Sequence, residues 1–205
     1  DEEKISNYIK EIKTLDPKKI VLLNSAWVEA IQYIVKCIYK EKITYRKMSL
    51  SDLLQAYKSL RENDTPLCRF NDFLNKKEEI IENTIKLLSL QFEIGCRLAY
   101  NGEYFYPYFI QQIIIVFCIL SNRHLFLQID ASQGKTLIFQ HLVALQLYDK
   151  HTVIMLTDRI LLSQRDFKHS RSFLTLLGYS TSDLLDISPR ETYQEGSAHF
   201  TTSHE

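Results

Sequence analysis

The chain is poor in the residues that break structure. Its 205 residues hold five glycines and four prolines, too few for a flexible linker, a collagen-like repeat or a low-complexity segment. It has no charge surplus either: Lys plus Arg number 25, and so do Asp plus Glu. A neutral chain sets up no long-range field toward nucleic acid or an anionic membrane, which counts against a simple DNA- or RNA-binding module. Four cysteines, Cys37, Cys68, Cys96 and Cys118, stand far apart with no CxxC and no Cys/His ligand spacing. They read as free, buried thiols in a reducing compartment. The histidines His141, His151 and His169 are scattered, read as surface or helix-end residues, and lack the spacing of a metal site. No apolar run is long enough to span a bilayer; the longest, Tyr108 to Leu120, is interrupted by Gln111 and Gln112. The opening Asp-Glu-Glu-Lys is not a signal peptide and has no initiator Met. The expectation is a soluble cytoplasmic chain, possible at a membrane surface only as a peripheral protein, and cut from a longer protein at both ends.

What is present is helical periodicity followed by a change of rhythm. Ile5, Tyr8, Ile9 and Ile12 recur at helical spacing. Trp27, Ile31, Ile34 and Ile38 stripe a helix expected from about Asp16 or Pro17 to Lys42. Ser51-Asp-Leu-Leu-Gln55 is close to a capping box, and a helix to about Leu60 should follow. Asn63 to Pro66 is a break. Ile80, Ile81, Ile85, Leu88, Phe92 and Ile94 give a core face to a helix from about Asn75 to Ala99. These stripes mix charge signs on their polar faces and keep no heptad, so core packing is favoured over a coiled coil.

Past Tyr104 the elements shorten and alternate. A helix is expected over Tyr106 to Leu120, a strand over Leu125 to Ile129, a helix over Thr136 to Tyr148, a strand over His151 to Thr157, and a helix over Asp158 to Leu177, stopped by Gly178. This β-α-β-α order predicts a parallel sheet with crossover helices. The fold class expected is an α/β P-loop NTPase half-domain over residues 103–205, preceded by an all-α region over residues 1–102.

Between the first expected strand and its helix lies Ser132-Gln133-Gly134-Lys135-Thr136. A Gly-Lys-Thr turn in that position is a phosphate-binding loop. Backbone N–H groups and the helix N-terminus face an anion, the lysine reaches the outer phosphates, and the threonine hydroxyl can ligate Mg²⁺. The distant first glycine of the usual pattern would fall on Ile129 and is missing. The same residues also fit an ordinary surface helix start; the strand–turn–helix context favours the nucleotide site. The ligand would then sit at the C-terminal ends of the strands, where open α/β sheets bind theirs.

Tyr106-Pro-Tyr-Phe-Ile-Gln-Gln112, Asp130-Ala-Ser-Gln-Gly-Lys-Thr136, Leu156-Thr-Asp158 and Gln164-Arg-Asp166 together resemble the first motor domain of SecA, the preprotein translocase ATPase, a superfamily 2 helicase-like motor. That family's loop also lacks the distant glycine. The resemblance covers about half the chain. It implies that Gln112 hydrogen-bonds the adenine edge, with Tyr106 and Phe109 flanking the base. It implies backbone contacts to phosphate from Ser132, Gln133 and Gly134, charge neutralisation by Lys135, and Mg²⁺ held by Thr136. Asp158, Arg165 and Asp166 would belong to a coupling segment that relays nucleotide state or touches the translocating polymer. His199 to Glu205 would open the next conserved element. Ser132 stands where the family has glycine, Gln133 replaces a glutamate, and Leu161-Leu162 lengthens the coupling segment.

ATP hydrolysis also needs an acidic pair to place Mg²⁺ and orient water. None of Asp149, Asp158, Asp166, Asp183 and Asp186 ends an apolar strand in that manner, and Asp183 and Asp186 read as a helix or turn start. The intact protein is therefore expected to be an ATP- and Mg²⁺-dependent motor moving polypeptide. Residues 1–205 alone are expected to bind nucleotide weakly without turnover. Two alternatives stay open: a helicase-like motor acting on RNA or DNA, and a degenerate, non-catalytic nucleotide-binding or protein-interaction module. The N-terminal helices could serve as an adaptor for a protein partner or as a buttress for the motor sheet.

Overall fold

A computed structural model describes residues 25–98, 107, 109–121, 134–183 and 196–202. The first described helix, α1, spans Ser25–Tyr45 and buries Ala30, Ile31, Ile34, Val35 and Ile38, the stripe expected from sequence. The start proposed for it at Asp16 or Pro17 lies outside the described residues, as do the apolar positions before it. Helix α2 (Leu50–Glu62) opens on a capping box made by Ser49, whose Oγ accepts from the Asp52 N–H at 3.2 Å while an Asp52 carboxylate oxygen accepts from the Ser49 N–H at 3.3 Å. The box is two residues earlier than the Ser51 reading placed it. The third residue after Ser51 is Leu54, which has no acceptor to return the bond, whereas the third after Ser49 is Asp52.

A short helix, α3 (Phe70–Leu74), leads to α4 (Glu78–Arg97). Glu78 and Glu79 in its first turn and Arg97 in its last suit the helix dipole. From Leu87 to Ile94 every residue of α4 is buried, so this helix is the axle of the helical layer, packed against α1 and α2. Helix α5 (Phe109–Ser121) packs on α1 and on α6 (Lys135–Tyr148). Trp27 stitches α1 to its neighbours, stacked on Phe70 at 3.9 Å and tilted against Phe117 at 5.6 Å.

The rest is β1 (Val153–Thr157), α7 (Ile160–Leu176), β2 (Thr181–Asp183) and β3 (Ala198–Thr202). The three described strands form one parallel sheet in the order β1-β3-β2. Val153 is level with Ala198, and Asp183 with Phe200. The parallel arrangement expected from the α/β alternation is therefore present. The strand expected at Leu125 to Ile129 lies outside the described residues. One local reading is corrected: Asp183 ends a strand instead of opening a helix or turn, because Thr181–Asp183 pairs with the centre of the sheet; Asp186 lies outside the described residues. The central strand, β3, reads Ala-His-Phe-Thr-Thr. Its buried His199 is matched on both ring nitrogens by hydroxyls, Ser182 at 2.6 Å and Ser197 at 2.8 Å. That pairing removes the cost of burying the imidazole.

Buried side chains form one continuous cluster from Ala30 in α1 to Phe200 in β3. Polar clamps fix the helical layer to the ends of α6 and α7. Arg69 donates to the Ile119 carbonyl at 2.8 Å and to Asp149 at 2.5 Å. Arg61 donates to the Leu177 and Gly178 carbonyls at 3.0 and 3.1 Å. Tyr57 and Tyr179 share a buried hydroxyl contact at 3.0 Å, and the Tyr148 hydroxyl donates to the Thr65 carbonyl at 2.9 Å. Apart from the Arg69 bond to Ile119, which reaches α5, these anchors engage the C-terminal ends of α6 and α7. They brace the end of the sheet where β1 begins. All four cysteines are free thiols; Cys68 and Cys96 are buried, Cys37 and Cys118 partly so.

Candidate functional site

The Gly-Lys-Thr turn folds as its sequence predicts at the helix start. Gly134 is the N-cap of α6 and adopts a left-handed conformation, φ 71° and ψ 36°, which a side chain would strain by roughly 1–2 kcal/mol. Gly134 has no side chain with which to cap the first turn of α6. The Gly134 carbonyl accepts from the Ile138 N–H at 3.1 Å and so starts the helical ladder. The first-turn N–H groups, which have no intrahelical acceptor, point outward at the positive end of a 14-residue helix. Lys135 is exposed and Thr136 half-buried at that end. A short turn joins α6 to β1, and the two pack together. This arrangement of donors, dipole and one lysine can hold a phosphate-sized anion.

Behind the turn stands a residue to which the sequence reading gave no role. Gln111 is 2% exposed, and its side-chain amide lies against the Cα of Gly134, in the space a β-carbon there would fill. Gln112, the residue expected at the adenine edge, is also buried. Its amide nitrogen donates back to the Pro107 carbonyl at 2.9 Å, and its Oε1 has no partner among the described residues. The signal for Gln111 was in the sequence as one half of a Gln-Gln pair. Neighbours on a helix differ by about 100° in direction, so one faces the turn and the other does not. Phe109 is the first residue of α5. Tyr106, Ser132 and Gln133 lie outside the described residues.

The coupling segment is an exposed corner. Asp158 pairs loosely with Arg159 at 3.8 Å. Arg165 spends its guanidinium on the adjacent Asp166 carboxylate at 2.8 Å. The Thr157 hydroxyl donates to the Arg159 carbonyl at 3.1 Å and shapes the turn from β1 into α7. Thr157 closes β1 and Asp158 follows it, while Lys135 and Thr136 open α6. Arg165 and Asp166 lie more than a turn along α7, in a contact of their own. Two further polar residues occupy the strand ends: Asp183 closes β2 and is buried, and Thr202 closes β3 with its hydroxyl buried and without a partner among the described residues.

One histidine reading is corrected. His141 is not a surface or helix-end residue; it lies in the middle of α6 and is 1% exposed. Its ring meets Phe92 and Phe173 edge-on at 4.8 and 5.1 Å. Burial pushes its pKa down to about 3. His151 and His169 are exposed, as expected. Among the described residues no group of three or more His, Cys, Asp or Glu is placed to hold a metal ion, and no helix is long and apolar enough to cross a membrane. Comparison of the chain with known protein families, curated proteins and solved structures returns no match.

Proposed function

We propose that this chain carries the ATP-binding loop of a SecA-like motor ATPase, which couples ATP hydrolysis to the movement of polypeptide. The observation that supports the reading best is the left-handed Gly134 at the N-terminus of α6, with Lys135 exposed beside it, in a chain whose described strands form a parallel sheet. In this reading Lys135 neutralises the outer phosphates and the Thr136 hydroxyl ligates Mg²⁺, while the first-turn N–H groups of α6 meet the phosphate oxygens. Gln111 holds Gly134 in register. The resemblance assigns Gln112 to the adenine edge; its Oε1, without a partner among the described residues, is buried and would have to be uncovered to accept from the base. Asp158, between β1 and α7, belongs to the segment that would carry a change at the nucleotide into α7. The helical layer braces the far end of the sheet, which fits the buttress reading of α4.

The substrate class is tested on the full-length protein by steady-state ATPase assays with an unfolded polypeptide or with single-stranded RNA as activator. The reading expects stimulation by polypeptide, abolished by Lys135→Ala. Stimulation by RNA alone assigns the motor to the helicase class, and no ATPase with either leaves a binding module.

A further inference from the structure

The densest run of positive charge among the described residues is not at the candidate nucleotide site but on the second half of α1. Between Lys36 and Lys47 stand five basic side chains and a single acid, Glu41, in a chain that is neutral overall. Lys36, Lys40 and Ile43 follow one another at spacings of four and three, and so share one face of the helix, with Arg46 and Lys47 in the turn just after it. Ile43 is 61% exposed in the middle of that face, and Tyr39, one turn before it, is 43% exposed. Arg46 flanks them and is exposed. Basic residues at a helix C-terminus are favoured by the dipole, which accounts for one or two of these charges. It does not account for an isoleucine left in water at their centre, beside a half-exposed Tyr39 whose ring carries the Lys42 ammonium at 5.5 Å.

We infer that this face of α1 is a docking surface for an acidic amphipathic helix of another protein. An apolar centre inside a charged rim is the anatomy of a protein interface. A rim of one sign selects a partner of the other sign and speeds its arrival. The observations fit the other polyanions less well. Tyr33 and Tyr39 point about 120° apart around the helix at 100° per residue, so they cannot form a stacking ladder for successive bases, and a phosphate backbone gains nothing from covering Ile43. A bilayer would receive a single aliphatic side chain, too little for stable insertion. The surface lies on the outer side of the helical layer, since the opposite face of α1 packs on α4 and α5. The inference is therefore independent of the nucleotide-site reading.

The test is fluorescence anisotropy with a labelled 20-residue peptide carrying leucine at every third or fourth position and glutamate between. The surface predicts saturable binding that weakens about tenfold between low and physiological salt. Ile43→Ala and Lys40→Glu should each weaken it about tenfold or more, and Lys58→Glu on α2 should leave it unchanged. All three side chains are exposed, so thermal denaturation should be unaltered and loss of folding is separable from loss of binding. No binding, or binding insensitive to Ile43→Ala, overturns the inference. So does an Ile43-dependent interaction seen only with anionic phosphatidylserine vesicles, with single-stranded oligonucleotides, or between copies of the chain.

Discussion

Lowering the pH should unfold this protein earlier than its carboxylates alone would require, because of His141. Its imidazole is fully buried between Phe92 and Phe173 with Nδ1 unpartnered, and burial alone lowers its pKa to about 3. In the unfolded chain the same group titrates near its ordinary value of 6.5. Between these values the unfolded chain binds a proton that the folded chain refuses, so stability falls as pH falls. The slope is about 1.4 kcal/mol per pH unit for one proton. Going from pH 7 to pH 5 should therefore cost about 2 kcal/mol, a large part of the roughly 5–15 kcal/mol that holds a domain of ordinary stability together. Asp72 does not confuse this window. The hydrogen bond from Lys77 holds its carboxyl below the usual range, and the stability it contributes is lost only as pH falls through and below the carboxylate range. The assay is urea denaturation of wild type and His141→Leu at pH 7, 6 and 5. The absolute stability of the variant can shift with repacking; the informative quantity is the slope, which should be flatter in the variant by about 1 kcal/mol per unit. Equal slopes would falsify the account of a neutral, desolvated imidazole.

Three further outcomes are expected. Gly134→Ala should lower stability by about 1–3 kcal/mol in thermal denaturation, from the left-handed backbone and from contact with Gln111; adding Gln111→Ala should recover the part due to contact, and no recovery would refute that contact. Arg69→Ala should cost about 2–4 kcal/mol, since it orphans the part-buried Asp149 and the Ile119 carbonyl; a cost below about 0.5 kcal/mol would show that the clamp contributes little. Gly178→Ala, at φ 84° with a β-carbon 2.8 Å from an Arg61 nitrogen, should destabilise by about 1–2 kcal/mol, and the effect should shrink in an Arg61→Ala background.

The elements that sequence reading placed well are those whose periodicity is long and one-sided. The stripe through Ile31, Ile34 and Ile38 and the run from Ile81 to Ile94 each specify a helix by themselves. The Gly134 turn was legible because only glycine takes φ 71° without strain. What stayed hidden depended on partners distant in sequence. The polar strand β3 makes sense only beside Ser182, which satisfies His199 from 17 residues away. His141 looked polar and therefore exposed, yet it fills a slot that Gly95 leaves open, where a β-carbon would come within 3.2 Å of the ring. The choice between Gln111 and Gln112 turned on side-chain direction relative to a residue more than 20 positions away. The clamps at Arg61 and Arg69 follow no local pattern, because arginines that bind distant carbonyls look in sequence like any surface arginine.

The claim on which the functional account rests is that the N-terminus of α6 binds the phosphates of ATP. It is tested most directly by titrating a fluorescent ATP analogue with Mg²⁺ into wild type and Lys135→Ala, with thermal denaturation of both proteins as the fold control. Lys135 is exposed in the first turn, so the variant should keep its stability. Saturable binding by wild type, weakened about tenfold or more in the variant and competed by ADP, is the result the account predicts. No binding at millimolar nucleotide, or equal binding by both proteins, would contradict it and leave the turn as the start of an ordinary helix.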